Sequence, residues 1–369
     1  MPASTTRIRS LAGVTIRDLL DLVIRFKASD LHIAVGLPPV LRVHGRLLRT
    51  PYEPLTPEDT RRMTDEFLTG AQQHSLKTLR EFDFTYFGGR SHIFRASFFH
   101  DRGMIAGAFR LLSKPIPSLA SLEIFPVIKN LCGLTNGLIL LSGATNSGGK
   151  ELVAAMLDEI NGNSSRHIVT IEDRIEYYHS PKQSVVRQRE IGTDALDVAN
   201  ALRGLRDLDA DVIVIERLDD LRVMRTALAL ANNGSLVFAS MATVSATSTV
   251  NRFIESFPEE EQDAVRLDLS NVLQAVLYTQ LVPSADGTEQ IMAQETMVFS
   301  PEIRDLIRQA KADQIWSFVE NRGHVGMQTM DMSLRDLFLA GRITRETAIF
   351  RSMNRIEMEE LLSRAGESL

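Results

Sequence analysis

The sequence predicts an α+β module followed by a doubly wound α/β domain that ends in a helical C-terminal region. The first 110 residues combine an amphipathic helix with short strands whose apolar residues alternate. Beyond residue 122, apolar runs without alternation are separated by helical segments. Such runs are typical of parallel strands that are covered on both faces. A length of 369 residues also suits about two domains.

The first module, predicted for residues 1–110, begins with a capped helix. Thr15 and Asp18 resemble a capping box in which Asp replaces the usual Glu or Gln. Apolar residues then follow helical spacing at Ile16, Leu19, Leu20, Val23 and Phe26. The stretch LHIAVGLPPVLRVHGRLL indicates short strands with a turn at Gly45.

The stretch FDFTYFGGRSHIFRASFF predicts a β-hairpin in an antiparallel sheet. Its apolar residues alternate with polar ones on both sides of a turn at Gly88-Gly89. The alternating residues are Phe82, Phe84 and Tyr86 before the turn, and Phe94, Ala96 and Phe98 after it. We therefore expect helices on one face of an antiparallel sheet.

A linker and a second domain are predicted after this module. Leu111–Leu122 carries two prolines and three serines, which indicates an interdomain linker at residues 111–122. The second domain then covers residues 123–369, with helical segments dominating from about Pro301. Its candidate strands are Leu138–Leu141, His167–Ile171, Val212–Ile215 and Leu236–Ala239.

The composition excludes several functional classes. A net charge of -6 gives no whole-chain attraction to nucleic acid or to anionic lipid, so we expect no nucleic-acid recognition. The apolar runs are shorter than the roughly 18 residues that a membrane span requires, and the N-terminus lacks a signal-peptide core. The single cysteine, Cys132, suits a reducing compartment. No His/Cys/Asp spacing resembles a zinc site. We expect a cytoplasmic protein without membrane insertion.

The stretch GLILLSGATNSGGKELVAAMLDEIN has the outline of a phosphate-binding loop between a strand and a helix. In the pattern G-x-x-x-x-G-K-[ST], the lysine neutralises phosphate oxygens and the hydroxyl ligates Mg²⁺. Counted from Gly143, the lysine position holds Gly149, and Lys150 takes the hydroxyl position. Counted back from Lys150, the first glycine becomes Ala144 and the hydroxyl position holds Glu151. Neither register satisfies the pattern, and a plain strand–turn–helix without a ligand remains an alternative.

Acidic residues follow two of the candidate strands. DADVIVIERLDD places Asp211 and Glu216 around an apolar core, and VTIEDRIEYYH supplies Glu172 and Asp173. Because ligands bind at the carboxyl edge of open α/β sheets, these acids are candidates to hold Mg²⁺ or to orient water. Many buried strands also end in a charged residue without any such role.

Motifs along nearly the whole chain resemble the type IV pilus retraction motors, the PilT/PilU branch of the hexameric type II/type IV secretion ATPases. They are ASDLHIAVGLPPVLRVHG, HIVTIEDRIEYYH, VVRQREIG, NGSLVFASMATVSA, FPEEE, GMQTMD and LAGRIT. The resemblance implies a PAS-like N-terminal domain, a RecA-like P-loop domain and a six-membered ring. It also implies ATP with Mg²⁺ as the cofactor and an inner-membrane pilus platform protein as the partner. Any peripheral association with that membrane would be made through the pilus machinery.

The departures from the family pattern predict a degenerate nucleotide site. Against the family loop G-P-T-G-S-G-K-S-T, Gly149 stands at the lysine, Lys150 at the serine and Glu151 at the threonine. In the strand pattern D-x-I-L-V-G-E-M-R-D, Glu216 falls on the glycine and Arg217 on the catalytic glutamate. If the strand is still extended there, a one-residue slip points a side chain to the opposite face.

Other family positions have changed as well. Ser235 and Ala242 replace the two histidines of the histidine box. Arg203 matches one family arginine, but Arg206 lies one residue early and Asp207 occupies the second arginine's position. Because losing one preorganised charge-stabilising group lowers turnover by roughly 10²–10³, fast hydrolysis is not expected. ATP and Mg²⁺ binding is predicted to be weak or absent.

Three hypotheses follow. The first is a nucleotide-binding subunit with impaired ATP hydrolysis in a homo- or hetero-hexameric ring with related subunits. The second is an active ATPase in which Lys150 swings back to the phosphates and Glu216 acts as the catalytic glutamate from a shifted strand end. The third is a scaffold that binds no nucleotide. The candidate catalytic residues are Glu172, Asp173, Glu216 and Arg203. The candidate nucleotide-binding residues are Gly143, Ala144, Thr145, Asn146, Ser147, Gly148, Gly149 and Lys150.

Overall fold

The computed structural model describes residues 8–43, 45–88, 92–112, 115–311, 314–315 and 326–366. Backbone contacts divide the chain into two compact units. The first unit is Met1–Pro115 together with Glu176–Ser180, and the second is Ile116–Ile175 together with Pro181–Leu369. The domain boundaries at residues 110 and 122 stay a prediction.

The first unit is a six-stranded antiparallel sheet with helices packed on it. The sheet order is β3-β2-β1-β6-β5-β4. Its strands are β1 (Asp30–Ile33), β2 (Val40–Val43), β3 (Arg46–Arg49), β4 (Glu81–Gly88), β5 (His92–Asp101) and β6 (Met104–Leu111). Its helices are α1 (Ile16–Arg25), α2 (Pro57–Phe67) and α3 (Gly70–Leu79). Thr15 and Asp18 form the predicted capping box at the start of α1.

The predicted hairpin is formed by β4 and β5. Three cross-strand pairs join the alternating apolar residues: Phe82 with Phe98, Phe84 with Ala96, and Tyr86 with Phe94. These side chains pack with the apolar face of α1 and with Phe109 of β6 in one core. The second glycine of the predicted turn, Gly89, lies outside the described residues. The helix-on-antiparallel-sheet prediction is confirmed.

The second unit is a seven-stranded, mostly parallel sheet in the order β13-β12-β7-β11-β10-β8-β9. Only the pairing of β13 with β12 is antiparallel among the ladders of this sheet. The strands are β7 (Gly137–Ser142), β8 (His167–Glu172), β9 (Val185–Glu190), β10 (Val212–Ile215), β11 (Leu236–Met241), β12 (Leu273–Pro283) and β13 (Gln290–Val298). All four predicted strands are therefore present.

Helices cover both faces of this sheet, as the unalternating apolar runs predicted. Along β7, Leu138 and Leu140 face one core, whereas Ile139 and Leu141 face the other. The second core is closed by α5, and the first by α7, α8 and α9. The helices are α4 (Val127–Leu131), α5 (Gly149–Asn163), α6 (Val198–Arg203), α7 (Leu221–Asn232), α8 (Ala246–Glu255), α9 (Glu259–Val272) and α10 (Pro301–Arg308).

Further helices in the described part of the C-terminal region are α11 (Met330–Leu339), α12 (Arg345–Arg351) and α13 (Arg355–Gly366). Their apolar residues pack on the β12–β13 hairpin, where Leu334 and Met358 meet Val282 and Ala293. In the part of the chain that the structure describes, no helix has both the length and the apolar character of a membrane span.

Candidate functional site

The loop between β7 and α5 is a tight turn at the carboxyl end of a central strand. The backbone N–H of Ser147 donates to Ala144 O at 3.1 Å, which closes a four-residue turn. Asn146 has a φ of 62° inside this turn, and Asn is one of the residues that tolerate a left-handed conformation. The N–H of Ser147, one of the candidate nucleotide-binding residues, is therefore used inside the loop.

Two glycines of the loop are required by its geometry, but the third is not. A Cβ at Gly143 would lie 2.3 Å from Ser147 Oγ, and one at Gly148 would lie 2.7 Å from Met292 Cε. Both glycines also have positive φ, 145° and 95°. At Gly149 a Cβ would meet Thr279 Oγ1 at 3.6 Å, an ordinary contact. The position where the pattern has lysine therefore has room for a side chain.

The loop is held against the neighbouring strands and leads directly into α5. Ser147 Oγ and Thr279 Oγ1 of β12 are 3.1 Å apart. The N-cap residue of α5 is Gly148, which has no side chain to satisfy the first backbone N–H groups. The start of a helix attracts anions because of those N–H groups and the helix dipole. Glu151 places a negative charge in the same first turn.

Lys150 and Glu216 form an ion pair at the base of this loop. Lys150 Nζ lies 2.7 Å from Glu216 Oε1, and the two side chains are 39% and 19% exposed. Glu216 Oε2 also accepts the backbone N–H of Asp173 at 2.7 Å. With the lysine this exposed, solvent screening limits the pair to about 1 kcal/mol of stability. Its larger effect is to neutralise the lysine of the loop.

The sequence predicted that the side chain points to the opposite face if the strand is still extended at Glu216. That expectation required an extended strand, whereas β10 ends at Ile215. Beyond the strand the alternation of faces no longer applies, and Glu216 turns toward both α5 and the end of β8. The displaced lysine and the displaced acid are therefore brought together.

Asp173 is neutralised by an arginine that follows Glu216. Arg217 Nη2 lies 3.2 Å from Asp173 Oδ2, and Arg217 Nε lies 2.9 Å from Asp219 Oδ2. The Arg217 side chain is 59% exposed, so the interaction is screened by solvent. The carboxylate of Asp173 is thus engaged by a cation at the edge of the sheet where a phosphate or a metal ion would bind.

Glu172 is the most perturbed acid of the site. Burial raises its pKa to about 7, against hydrogen bonds that favour the charged form and with the neighbouring Glu216 adding to the rise. Thr170 Oγ1 donates to Glu172 Oε1 at 2.6 Å, and Gln188 Nε2 donates to the same oxygen at 3.1 Å. Near neutral pH this carboxyl group therefore exchanges a proton.

Arg203 belongs to a different local environment. It lies at the end of α6, is exposed, and donates to Asn200 Oδ1 within the same helix. The hydrogen bonds and ion pairs of the described residues do not join it to Lys150 or Glu216. The side chains of Arg206 and Asp207 lie outside the described part of the chain.

Comparison with known proteins identifies the family to which this fold and loop belong. The family model described as "Type II/IV secretion system protein" matches residues 126–331. PilT of Pseudomonas aeruginosa, a type IV pilus retraction ATPase, is 36% identical over 333 residues, which cover 90% of this chain and 96% of PilT. The chain belongs to the type II/IV secretion ATPase family. PilU of the same organism, a type IV pilus ATPase, is 32% identical over 350 residues, 95% of this chain and 92% of PilU.

Solved structures agree with this assignment. The crystal structure of the pilus retraction motor PilT with bound ADP matches with a TM-score of 0.79 at 35% identity, covering 94% of this chain and 99% of that one. The ATPase DotB of Legionella pneumophila matches with a TM-score of 0.69 at 22% identity, covering 94% and 97%, which supports the fold alone. The chain is therefore a PilT/PilU-like motor-family protein.

In this PilT/PilU-like chain, the positions of the histidine box carry no titratable group. Ser235 Oγ donates to Ala210 O at 2.9 Å, just before β11. The backbone carbonyl of Ala242 accepts Arg252 Nη1 at 2.6 Å. Neither side chain can accept or donate a proton near neutral pH, as a histidine would.

Several residues that shape the site were missed by sequence reasoning. Thr279 and Met292 pack against the loop, but they lie on β12 and β13, which the apolar pattern did not single out. Gln188 lies in the segment VVRQREIG, which was noted only as a family resemblance. Gln188 lies in a run of polar residues, so the sequence pattern gave no signal for its contact with Glu172.

Proposed function

We propose that this chain is a nucleotide-binding ring subunit of the type IV pilus retraction machinery with impaired ATP hydrolysis. The observation that carries the proposal is the 2.7 Å contact between Lys150 Nζ and Glu216 Oε1. It joins the Lys150 ammonium to the carboxylate of Glu216, the first acid beyond β10, so that each charge has the other as its ion-pair partner. Neither group then acts on a terminal phosphate without breaking this pair.

The surroundings of the pair support impaired hydrolysis. A water-activating carboxylate must lie within reach of the water, and here Asp173 contacts Arg217 at 3.2 Å while Glu172 accepts hydrogen bonds from Thr170 and Gln188. Losing one preorganised charge-stabilising group lowers turnover by roughly 10²–10³. The rate losses do not add when the catalytic groups act as a unit, but little lowering of the activation barrier for hydrolysis remains once such groups are lost.

The shape of the loop supports residual nucleotide binding. Gly143 and Gly148 have positive φ values and pack closely against Ser147 and Met292, which holds the turn that leads into α5. The helix start behind Gly148 supplies backbone N–H groups and a favourable dipole. These contacts require neither Lys150 nor an acid. We infer that the loop binds a nucleotide weakly.

The relatives support the biological setting. PilT and PilU are named as pilus ATPases, and a relative from Neisseria gonorrhoeae that is 34% identical over 316 residues is named a twitching motility protein. We propose that this chain joins a six-membered ring, either with copies of itself or with related subunits. The ring would act in the cytoplasm at an inner-membrane pilus platform protein.

A second candidate is an active ATPase, and one observation favours it. Lys150 and Glu216 have each moved by one position in the family pattern, yet they meet at 2.7 Å beside the loop. Two random losses would not be expected to meet in this way. In this alternative the pair opens on nucleotide binding, Lys150 turns to the phosphates and Glu216 activates water.

Hydrolysis by the purified chain without any partner ATPase separates the two candidates. The proposal predicts turnover well below the roughly 1 per second at the low end of typical enzymes. Turnover of a few per second would overturn it and favour the active ATPase, in which case Lys150→Ala should abolish the rate. Calorimetry with ATP completes the test, because the scaffold hypothesis predicts no binding tighter than about millimolar.

A further inference from the structure

Hydrogen bonds fix the start of α11 alongside strand β13. The backbones of Thr296 and Gln328 exchange two hydrogen bonds, at 2.8 and 3.0 Å. Two residues earlier on β13, the backbone N–H of Gln294 donates to Ser333 Oγ at 3.1 Å. The chain from 328 to 333 is therefore attached to β13 at two points.

Each of these two segments carries one acid between its points of attachment. Glu295 of β13 is 6% exposed, and its Oε1 accepts the backbone N–H of Ala246, the first residue of α8, at 3.1 Å. Asp331 lies in the first turn of α11 and accepts the backbone N–H groups of Met353 and Asn354, at 2.7 and 3.1 Å. Among the ion pairs of the described residues, none involves either acid. Both carboxyl groups are thus held by N–H groups alone.

The surroundings of this pair favour a proton on Glu295. Burial raises the pKa of Glu295 to about 7, against the hydrogen bond from Ala246 and with the charge of Asp331 adding to the rise. Burial also raises the pKa of Asp331, although its two backbone hydrogen bonds oppose this shift. Across the described ranges, no group of three His, Cys, Asp or Glu side chains could hold a metal ion. A proton is therefore the cation available to the pair.

The neighbouring elements supply no counter-charge that pairs with these acids in the described part of the chain. On α8 the first charged residue is Arg252, which donates to the backbone carbonyl of Ala242 at 2.6 Å. On α11, Arg335 and Asp336 form an ion pair with each other at 2.7 Å. The other titratable or charged groups that face the pair are Tyr278 of β12, which is the cross-strand partner of Glu295, Arg351 of α12 beside Tyr278, and Glu357 of α13.

From this arrangement we propose that Glu295 and Asp331 form a proton-dependent latch that holds the C-terminal helices α11, α12 and α13 on β13. With a proton on Glu295, the single negative charge of Asp331 is stabilised by the N–H groups that precede α13. When that proton passes to water, two carboxylates without a cation face each other and repel. The repulsion favours separation of α11 from β13.

The latch acts on the strands that also support the phosphate loop. Met292, three residues before Glu295 on β13, packs against Gly148. On β12, Thr279 Oγ1 lies 3.1 Å from Ser147 Oγ. Release of the C-terminal helices would therefore loosen the wall behind the loop. The inference goes beyond the proposed function, because it holds whether or not the loop binds a nucleotide.

Hydrogen exchange of the full chain at about pH 6 and about pH 8, corrected for intrinsic exchange rates, tests the latch. Because the held carboxyl binds its proton more tightly than the released one, the latch is strongest at low pH and weakens as pH rises. With a pKa of 4.5 when released and about 7 when held, the opening equilibrium should be about tenfold larger at the higher pH. The readout is the fragment that contains Met353 and Asn354, and a change below about threefold overturns the proposal.

Two variants identify the titrating group. Glu295→Gln keeps an oxygen that accepts the Ala246 N–H but cannot ionise, so exchange of the same fragment should no longer depend on pH. The matched control is Glu172→Gln, which removes another acid whose burial raises its pKa to about 7, on β8. The control should keep the tenfold change. A dependence that survives in Glu295→Gln, or is lost in Glu172→Gln, overturns the latch.

Infrared spectroscopy keeps the test decisive if Glu295→Gln does not fold. In Glu172→Gln, the carbonyl band of a protonated carboxyl group should be present at about pH 6 and lost by about pH 8. The absence of such a band at the lower pH means that the acid pair holds no proton, and this result also overturns the latch.

Discussion

Placing a lysine at Gly149 tests whether one missing cation explains weak nucleotide binding. Gly149 is the first residue of α5, and a Cβ added there would make only ordinary contacts, 3.6 Å to Thr279 Oγ1 and 3.8 Å to Ser147 Oγ. The substitution Gly149→Lys should therefore fit without moving the backbone. Gly149→Ala is the matched control, since it adds the same Cβ without the charge.

Two small effects of opposite sign act on stability at position 149: the removal of a helical glycine and the addition of a positive charge. Replacing a helical glycine by alanine stabilises by up to about 1 kcal/mol, and at the first position about half of that is expected. A positive charge at a helix N-terminus costs about 0.3–1 kcal/mol. Gly149→Ala should therefore raise the free energy of unfolding by about 0.5 kcal/mol, whereas Gly149→Lys should leave it nearly unchanged.

The effect on nucleotide affinity should be larger. A hydrogen bond between a charged group and a phosphate contributes about 1.5–3 kcal/mol, and solvent exposure places this one near the lower end. We expect Gly149→Lys to bind ATP about tenfold more tightly than Gly149→Ala, which corresponds to about 1.4 kcal/mol. Calorimetry measures the affinities, and urea unfolding measures the stabilities. Equal affinities of the two variants would refute the reasoning that the lysine position limits binding.

Three further predictions concern the same site. Gly148→Ala should destabilise the fold by about 1–3 kcal/mol in urea unfolding, because φ is 95° and Met292 Cε lies 2.7 Å from the new Cβ; a neutral effect would contradict this geometry. A double-mutant cycle of Lys150→Met and Glu216→Gln should give a coupling energy of about 1 kcal/mol that shrinks in high salt, and zero coupling would argue against the ion pair. The third prediction is a pH dependence. Because burial raises the pKa of Glu172 from 4.5 to about 7, the folded state binds the extra proton, so its stability should fall as pH rises through that window. Glu172→Gln should reduce this fall, and an unchanged slope would assign it to other groups.

The layers of the fold could be predicted because they depend on local patterns. The alternation of Phe82, Phe84 and Tyr86 set the register of the first hairpin, and the apolar run before Gly143 formed a central parallel strand. The strand β12 was missed because it begins at Leu273 directly after α9 ends at Val272, without a glycine or proline between them. β9 was missed because its last four residues, Arg187–Glu190, are all polar, so the strand shows no apolar run or alternation.

The loop and its changed register could also be recognised from sequence, but its contacts could not. Which way Glu216 points depends on where β10 ends, and no residue near Ile215 marks that end. Gln188 and Glu172 lie on paired strands, and the two residues are 16 positions apart in the sequence. Such contacts follow from sheet order, which the apolar pattern leaves open.

The pairing of Lys150 with Glu216 makes the departures from the family pattern one physical change rather than two. A lysine moved to the second position of α5 lies beside the end of β10, and the acid at position 216 lies where it can pair with that lysine. Because the lysine is exposed, the pair contributes about 1 kcal/mol. Removing either group alone loses that ion pair, so restoring the family residues requires changes on both elements together.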